Sequence, residues 1–488
     1  MKKYKTSIKF LLTAAIMLSF VTSCKKDFLD INQNPNSPPD AGVAELLPSA
    51  EAAIAHVVGN NFQIFGGIWG QYWTQSNSSS QYKRLEQYNP AADDFDRPWK
   101  ALYADALEDL KTIITKAGTA NQNYTAISKI LQGYTFQLLT DNFGEIPFTD
   151  ALKPDAGILS PRYDNQETVY NGIIALVSEG VSLIDENAVI GPGDDDILLH
   201  GDMALWKEFG NTLLLRVYMR LSERDPVKAQ AGIAALETAG AAFLAAGEEV
   251  RIDYTPANPN PLYSSLIDLS FVQNLVGSAT AIDYLNGNND PRVDAFYSPA
   301  SNGTQVGFAQ GNYNAPPGTP VSWPSPVTGG NIDDEVASAS APVKLMTGYE
   351  SLFLQAEAVA RGWMTGDAQA LYEEGITESF VSYGLQDTDA TNYFTQTAIA
   401  FPSAGTTADK IEAIITQKWI AMDGNQCDEG WTEWRRTGFP DFFTESVNSI
   451  IGAGRFPARF FYPSTESTRN GNFPGQPLIY TKVWWDVN

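Results

Sequence analysis

The sequence predicts a mainly α-helical protein in which paired helices form a scaffold and one long loop-rich excursion forms a binding face. Two observations support this fold class. Apolar residues recur at steps of three and four along most of the chain, which is the spacing of one helix face. Between about residues 251 and 344 this period disappears, and proline, glycine, asparagine and serine become frequent.

The N-terminus has the pattern of a secretory signal. Lysines at positions 2, 3, 5 and 9 precede an apolar stretch at 10–20, which is shorter than the roughly 20 apolar residues of a membrane-spanning helix. The segment Val21-Thr22-Ser23-Cys24 resembles a bacterial lipobox, in which the cysteine is lipidated. We therefore predict a signal peptide over 1–23 and a lipid anchor on Cys24. The alternative is an ordinary signal peptide with a cysteine nearby.

Residues 24–40 are predicted to form a flexible tether, because they are polar and interrupted by prolines. If Cys24 carries lipid, Cys427 is the one remaining thiol and no intramolecular disulfide can form. A lone cysteine of this kind is more often buried than reactive. We expect Cys427 to lie in the core.

Helical stripes follow the tether. The clearest one joins Trp99, Leu102, Ala106, Leu110 and Ile113, with Pro98 ahead of it and Gly118 behind it. Further stripes cover about 41–58, 127–138, 168–186, 203–222, 226–246, 349–363, 367–383 and 408–421. Short connections between neighbours favour helix pairs, which stack into arrays such as tetratricopeptide repeats. No strict 34-residue period is present, so the repeats would be degenerate.

The domain organisation follows from these segments. We predict one domain over 41–488, with a helical scaffold at about 41–250 and 345–440. The loop-rich excursion covers about 251–344, and an irregular segment covers about 441–488. Aromatic residues within the excursion argue against disorder, and a loop region of this length in a compact protein is usually functional.

Charge excludes some partners. The chain has 57 acidic and 32 basic residues, a net charge of -25, and four of the lysines belong to the signal peptide. Such a surface repels phosphate backbones, so nucleic acid is not expected as a partner. A neutral ligand is compatible with this charge.

Two segments offer aromatic side chains for a sugar ring, which binds through a flat aromatic surface and a few hydrogen-bonding groups. The first segment has Trp69, Tyr72 and Trp73 at the spacing of one helical face, followed by Tyr82 among serines, asparagines and glutamines. The alternative is a buried stripe, which the same spacing also predicts and which the sequence favours for this segment. The second segment has Tyr313 and Trp323 in a loop where no stripe requires burial.

The sequence gives less support for a metal site or a catalytic site than for a sugar-binding site. Asp194, Asp195 and Asp196 lack the spaced pattern of a calcium loop, so we expect no cofactor, with a structural calcium ion as the alternative. Only His56 and His200 are available, and no zinc or serine-hydrolase motif is present. We predict a protein that is not an enzyme. A surface glycoside hydrolase needs only two carboxylates, so it stays an alternative, as does a helical protein-protein scaffold.

A series of short motifs runs in order along the chain. It comprises Asn34-Pro35-Asn36, Asp141-Asn142-Phe143-Gly144-Glu145-Ile146-Pro147, Gly201-Asp202, Asn211-Thr212-Leu213-Leu214-Leu215-Arg216, Asp290-Pro291-Arg292, Gln355-Ala356-Glu357-Ala358, Gln417-Lys418-Trp419 and Trp434-Arg435-Arg436-Thr437-Gly438. Together these motifs resemble those of the SusD/RagB-like nutrient-binding lipoproteins.

The resemblance implies a lipid-anchored protein on the outer membrane, facing the cell exterior. Members of this family capture an oligosaccharide or another nutrient and deliver it to a SusC-type TonB-dependent transporter. The resemblance implies tetratricopeptide-like helices with an irregular binding face, in agreement with the pattern above. It leaves the nutrient open between several glycans and peptides, and the motifs are mostly scaffold.

Overall fold

Helices form the body of the protein, as the periodicity predicted. The computed structural model describes residues 41–268 and 272–488, so the predicted signal peptide, Cys24 and the whole of the predicted tether lie outside the described residues. Its longer helices are Val43–Val57, Glu108–Ala117, Gln122–Phe143, Gln166–Leu183, Met203–Arg220, Pro226–Thr238, Pro261–Asp268, Ala279–Gly287, Gly348–Ala360, Ala368–Ser382, Asp387–Phe394, Thr407–Ala421 and Cys427–Thr437. Shorter ones are Gln63–Trp69, Lys83–Glu86, Asp96–Lys100, Arg292–Phe296, Glu335–Ala339 and Ser464–Arg469. Residues Val43–Asn488 form one compact unit.

The stripe that begins at Trp99 is helical and buried, as predicted. Leu102, Ala106, Leu110 and Ile113 are all fully buried. The middle of this helix, Ala101–Leu107, is wound as a π-helix, which the spacing did not indicate. The helix ends before Gly118, which has a φ of 52°. A residue with a Cβ is strained in that conformation, so glycine suits the position.

Helices pack in antiparallel neighbours along the scaffold. Gln122–Phe143 packs along Gln166–Leu183, and Gly348–Ala360 packs on Ala368–Ser382. The first pair approaches closely because Gly133 has no side chain: a Cβ there would lie 2.3 Å from Val177 Cγ2. This arrangement agrees with the tetratricopeptide-like fold class.

The excursion contains more regular structure than the sequence predicted. Between residues 251 and 344 it includes four of the helices, the longest being Ala279–Gly287. Within the described residues, the β-strands form two-stranded antiparallel pairs: Trp73–Gln75 with Leu275–Gly277, Ile146–Pro147 with Tyr163–Asp164, Glu249–Ile252 with Val343–Thr347, and Tyr297–Ser298 with Trp323–Pro324. Elements of two to nine residues are too short to establish a hydrophobic period, which explains why they were missed.

A buried ionic network ties the scaffold helices together. Arg220 lies 3.3 Å from Asp141 and 2.5 Å from Glu429. Lys418 lies 3.4 Å from Glu429 and 3.3 Å from Glu433, and both Arg220 and Lys418 are fully buried. Buried charges are tolerated when each is paired and hydrogen-bonded. The network therefore constrains how these helices can be arranged.

Cys427 lies in the same core, as predicted. It is fully buried, and its thiol accepts a hydrogen bond from Gln63 Nε2 at 3.3 Å. Burial raises the pKa of the Cys427 thiol well above its ordinary value. A protonated, enclosed thiol is a packing group and not a nucleophile.

Candidate ligand-binding cleft

Trp69, Tyr72 and Trp73 do not share a helical face, contrary to the sequence expectation. The helix Gln63–Trp69 ends at Trp69, and Gln71 has a φ of 60° in the turn that follows. Trp73 begins a strand and pairs with Gly277. The expectation failed because the pairing partner lies some 200 positions away, and no local spacing reports it.

These three side chains are part of the core. Trp69 is 3% exposed, and Tyr72 and Trp73 are 0% exposed. The Tyr72 ring stacks on Trp419 at 5.0 Å, and its hydroxyl donates to the Trp419 carbonyl at 2.8 Å. Trp69 packs against Trp431 at 5.1 Å. Their burial supports the packing alternative for this segment.

Tyr313 and Tyr82 lie in different places. Tyr313 is buried; its hydroxyl accepts a hydrogen bond from Gln87 Nε2 at 2.9 Å, and Lys83 Nζ lies 5.0 Å from its ring. Tyr82 is also largely buried, at the edge of a separate polar cleft with Arg84. The structure therefore does not bring Tyr82, Tyr313 and Trp323 into one cleft.

Trp323 is half-buried and lines a surface cleft of about 580 Å³. We call this space the Trp323 cleft. Its walls come from three stretches of chain, namely Ser76–Ser78, Ser298–Ser301 and residues 318–334. Its polar lining groups are Ser76, Asn77, Ser78, Ser298, Ser301, Thr319, Asn331, Asp333 and Asp334. One aromatic side chain among amides and hydroxyls is the composition that suits a sugar ring.

Hydrogen bonds between distant segments shape the cleft. Trp323 is held opposite Ser298 by the strand pair Tyr297–Ser298 and Trp323–Pro324. Asn331 Nδ2 donates to Ser298 Oγ at 2.9 Å. On the other wall, Asn77 Nδ2 donates to the Pro316 carbonyl at 2.9 Å. The cleft is thus preformed in the protein, which lowers the entropic cost of binding.

The sequence-based prediction named Trp323 but did not name Ser298, Asn331 or Asp333 as candidates. The sequence offered one signal for Asn77, because it lies in a run of serine, asparagine and glutamine that follows Trp73. For Ser298, Asn331 and Asp333 there was none, since isolated polar residues in a loop have the same composition as ordinary turns.

Two of the three aspartates named for the alternative calcium site, Asp195 and Asp196, accept hydrogen bonds from the protein itself. Asp196 Oδ1 accepts hydrogen bonds from the Leu198 and Leu199 amides at 3.1 and 3.0 Å, and its other oxygen accepts from Trp206 Nε1 at 2.6 Å. Asp195 accepts from the Tyr124 hydroxyl at 2.7 Å. Within residues 41–268 and 272–488, no group of three or more His, Cys, Asp or Glu side chains is placed to hold a metal ion.

The described part of the chain also contains no helix that is both long and apolar enough to cross a membrane.

A scaffold of paired helices that carries a polar cleft on an inserted, loop-built face defines a class of helical-repeat proteins with a polar surface cleft. Residues 35–463 match the sequence profile of the SusD-like family, described as starch-binding and associating with the outer membrane. The chain belongs to this family. The resemblance drawn from the sequence motifs is thereby confirmed.

Solved structures share the fold. A chitin-binding protein is 24% identical with a TM-score of 0.76, covering 92% of this chain and 100% of that one. A SusD homologue from Bacteroides uniformis is 25% identical with a TM-score of 0.76, covering 91% and 99%. A chitin-binding SusD homologue from Flavobacterium johnsoniae is 24% identical with a TM-score of 0.73, covering 91% and 96%. No curated protein matches the sequence.

Proposed function

We propose that this protein captures an oligosaccharide in the Trp323 cleft and performs no bond chemistry on it. The observation that carries the proposal is the position of Trp323, which presents a half-buried indole opposite Ser298 in a cleft that Asn77 and Thr319 also line. An indole covers the apolar C–H face of a sugar, and amide and hydroxyl groups bind its polar rim.

The lining favours a neutral ligand. Asp333 and Asp334 are exposed at the cleft, and the whole chain carries a net charge of -25. A negatively charged sugar would be repelled here. The family description names starch, and two structural relatives are described as chitin-binding. Starch-type and chitin-type oligosaccharides are therefore the first ligands to test.

The proposal includes the place of the protein in the cell. A lipid on Cys24 would hold it at the outer membrane, facing the exterior, and the captured ligand would pass to a SusC-type TonB-dependent transporter. Support comes from the lipobox-like segment 21–24 and from the family, which associates with the outer membrane.

Affinity electrophoresis of the purified protein against starch, chitin, fructan and host-type glycans tests the binding proposal. Retardation by at least one glycan is the expected result, and a parallel assay for reducing ends should detect no release. Binding to none of the glycans would contradict the proposal and favour a peptide ligand or a scaffold role. Release of reducing ends would favour the glycoside hydrolase alternative.

A further inference from the structure

A second cleft lies between the end of the helix Cys427–Thr437 and the irregular C-terminal segment. It has a volume of about 520 Å³, and none of its lining residues lines the Trp323 cleft. Trp434, Phe443, Phe456, Tyr480, Arg435 and Arg455 contribute to its walls. We call this space the C-terminal cleft.

Aromatic rings form the apolar part of the C-terminal cleft. Trp434 stacks on Phe443 at 5.0 Å with an angle of 15° between the planes. Phe456 meets the same indole edge-on at 5.2 Å. All three side chains and Tyr480 are half-buried, so part of each remains accessible. Such walls favour a flat or ring-shaped ligand.

Two guanidinium groups line the same cleft without a carboxylate partner. Arg435 donates to the carbonyls of Asp141 and Ala458 at 2.7 and 3.1 Å and to the Thr432 hydroxyl at 2.7 Å. Arg455 donates to the Ile451 carbonyl at 3.1 Å, and its guanidinium lies 4.4 Å from the Tyr480 ring. In the part of the chain that the structure describes, neither group forms an ion pair.

Arg435 is the more strongly constrained of the two. It is 2% exposed, lies 3.7 Å from the Trp431 ring, and its Nε–H has no hydrogen-bond acceptor among the described residues. Burial lowers the pKa of Arg435 to about 10, and the attraction of Asp428, Asp141 and Asp486 offsets the effect only in part. The group stays protonated at neutral pH. An unpaired buried donor on a cation is costly unless a ligand or water satisfies it.

We propose that the C-terminal cleft binds a six-membered ring that carries one carboxylate group. The aromatic walls would enclose the ring, and the guanidinium groups of Arg455 and Arg435 would pair with the carboxylate, a geometry that arginine favours. An acidic sugar and an aromatic acid share this chemistry.

The remaining charges at the cleft are compatible with an anion. Lys482 lies 3.4 Å from Asp486, so these two lining residues compensate each other. Asp441 is exposed at the edge, where solvent screens it. The C-terminal cleft therefore differs from the Trp323 cleft, which is lined by Asp333 and Asp334 and has no cationic side chain in its lining.

Ligand-observed NMR titrations of the purified protein with D-glucuronate, benzoate and D-glucose test the inference. One of the two acids should bind about tenfold more tightly than glucose. Tighter binding of glucuronate would indicate an acidic sugar as the ligand, and tighter binding of benzoate would indicate an aromatic acid. Arg455→Gln should weaken that binding about fivefold or more, and Arg455→Lys should have a smaller effect because it keeps the charge. Arg455 is exposed, so its replacement leaves the core intact.

Two controls make the result specific to this cleft. Arg224→Gln removes another exposed arginine that lies over an aromatic ring, 5.5 Å from Trp484, and should leave acid binding unchanged. Trp323→Ala should also leave it unchanged, which separates this inference from the proposed oligosaccharide function. Equal affinity for glucose and both acids, or acid binding that survives Arg455→Gln, would overturn the inference.

Discussion

Glu357 and Arg436 face each other in the core through two parallel hydrogen bonds. Arg436 Nη1 lies 2.8 Å from Glu357 Oε1, and Nη2 lies 2.6 Å from Oε2. Both side chains are 0% exposed. The Glu357–Arg436 pair joins the helix Gly348–Ala360 to the helix Cys427–Thr437. Arg436 also pairs with Glu433 at 2.6 Å, which connects the pair to the buried ionic network.

Replacing Glu357 by Gln should destabilise the protein strongly. The change leaves the charge of Arg436 buried with only Glu433 to balance it, and removing one partner of a buried pair costs about 3–5 kcal/mol. Urea denaturation should show the loss. The matched control is Glu186→Gln, which breaks an exposed pair with Lys207 at 2.9 Å and should cost about 0–1 kcal/mol. Equal effects of the two substitutions would contradict the role given to the buried pair.

The same pair should contribute to acid sensitivity. Burial by itself would raise the pKa of Glu357, but Arg436 and Arg361 outweigh burial and hold the pKa below its ordinary value. A depressed pKa in the folded state means that the stabilisation is present above the unfolded value, about 4.3. It is lost as the pH falls through the folded pKa. Thermal melts between pH 3 and 6 should therefore show a smaller decline in acid for Glu357→Gln than for the natural protein.

Glu86 should produce the opposite pH dependence. Its carboxylate is fully buried and accepts hydrogen bonds from Thr74 Oγ1 at 2.7 Å and the Gln75 amide at 2.9 Å. Burial raises the pKa of Glu86 to about 7, although those hydrogen bonds oppose the shift. A raised pKa in the folded state contributes stability that is present below the unfolded value and is lost as the pH rises through 7.

For Glu86→Gln we expect a smaller loss of unfolding free energy between pH 5 and 8 than in the natural protein. The exposed Glu374→Gln serves as the control and should leave the profile unchanged. An unaltered profile in Glu86→Gln would show that this carboxyl group does not titrate in the range.

Gly66→Ala should destabilise the contact between the helices Gln63–Trp69 and Cys427–Thr437. A Cβ on Gly66 would lie 2.3 Å from the Asp428 backbone nitrogen, and backbone cannot move aside as a side chain can. Overpacking of this kind costs about 1–3 kcal/mol or more. Gly287→Ala is the matched control, because a Cβ there meets nothing within 4 Å. Chemical denaturation of both variants measures the difference.

Trp323→Ala should weaken binding of the oligosaccharide by about 1–3 kcal/mol, since the indole is the aromatic surface of its cleft. Isothermal titration with the glycan found by affinity electrophoresis measures this effect. Trp363→Ala removes another half-buried tryptophan, which lies outside the cleft beside Arg361, and should leave affinity unchanged. Matching titration curves for the natural protein and Trp323→Ala would contradict oligosaccharide binding in the Trp323 cleft.

Cys24→Ser should move the protein from the membrane fraction to the soluble fraction. A serine cannot accept the thioether-linked lipid, and stable anchoring needs acyl chains. Cys427→Ser is the control, because this thiol is buried in the core. Unchanged fractionation of Cys24→Ser, measured by immunoblotting of separated membranes, would contradict the predicted anchor.

Several of the motifs that carried the family resemblance prove to be structural. Arg216, Glu357, Lys418 and Arg436 all belong to buried ion pairs. The sequence showed that these residues occur in the same order as the motifs of the family, but it could not show which carboxylate each cation contacts. Arg216 and its partner Glu350 are 134 residues apart, and Glu357 and Arg436 are 79 residues apart. Lys418 lies within 4 Å of three different carboxylates, so no local spacing indicates which one it contacts.

The sequence predicted the long scaffold helices, because a helix buries residues three and four positions apart and the pattern is therefore local. Trp99 to Ile114 is the clearest case. Packing of the folded chain places Trp73 in a strand and brings Trp323 and Asn77 into one cleft. These roles depend on segments more than 200 residues apart, whose contacts arise only when the chain packs.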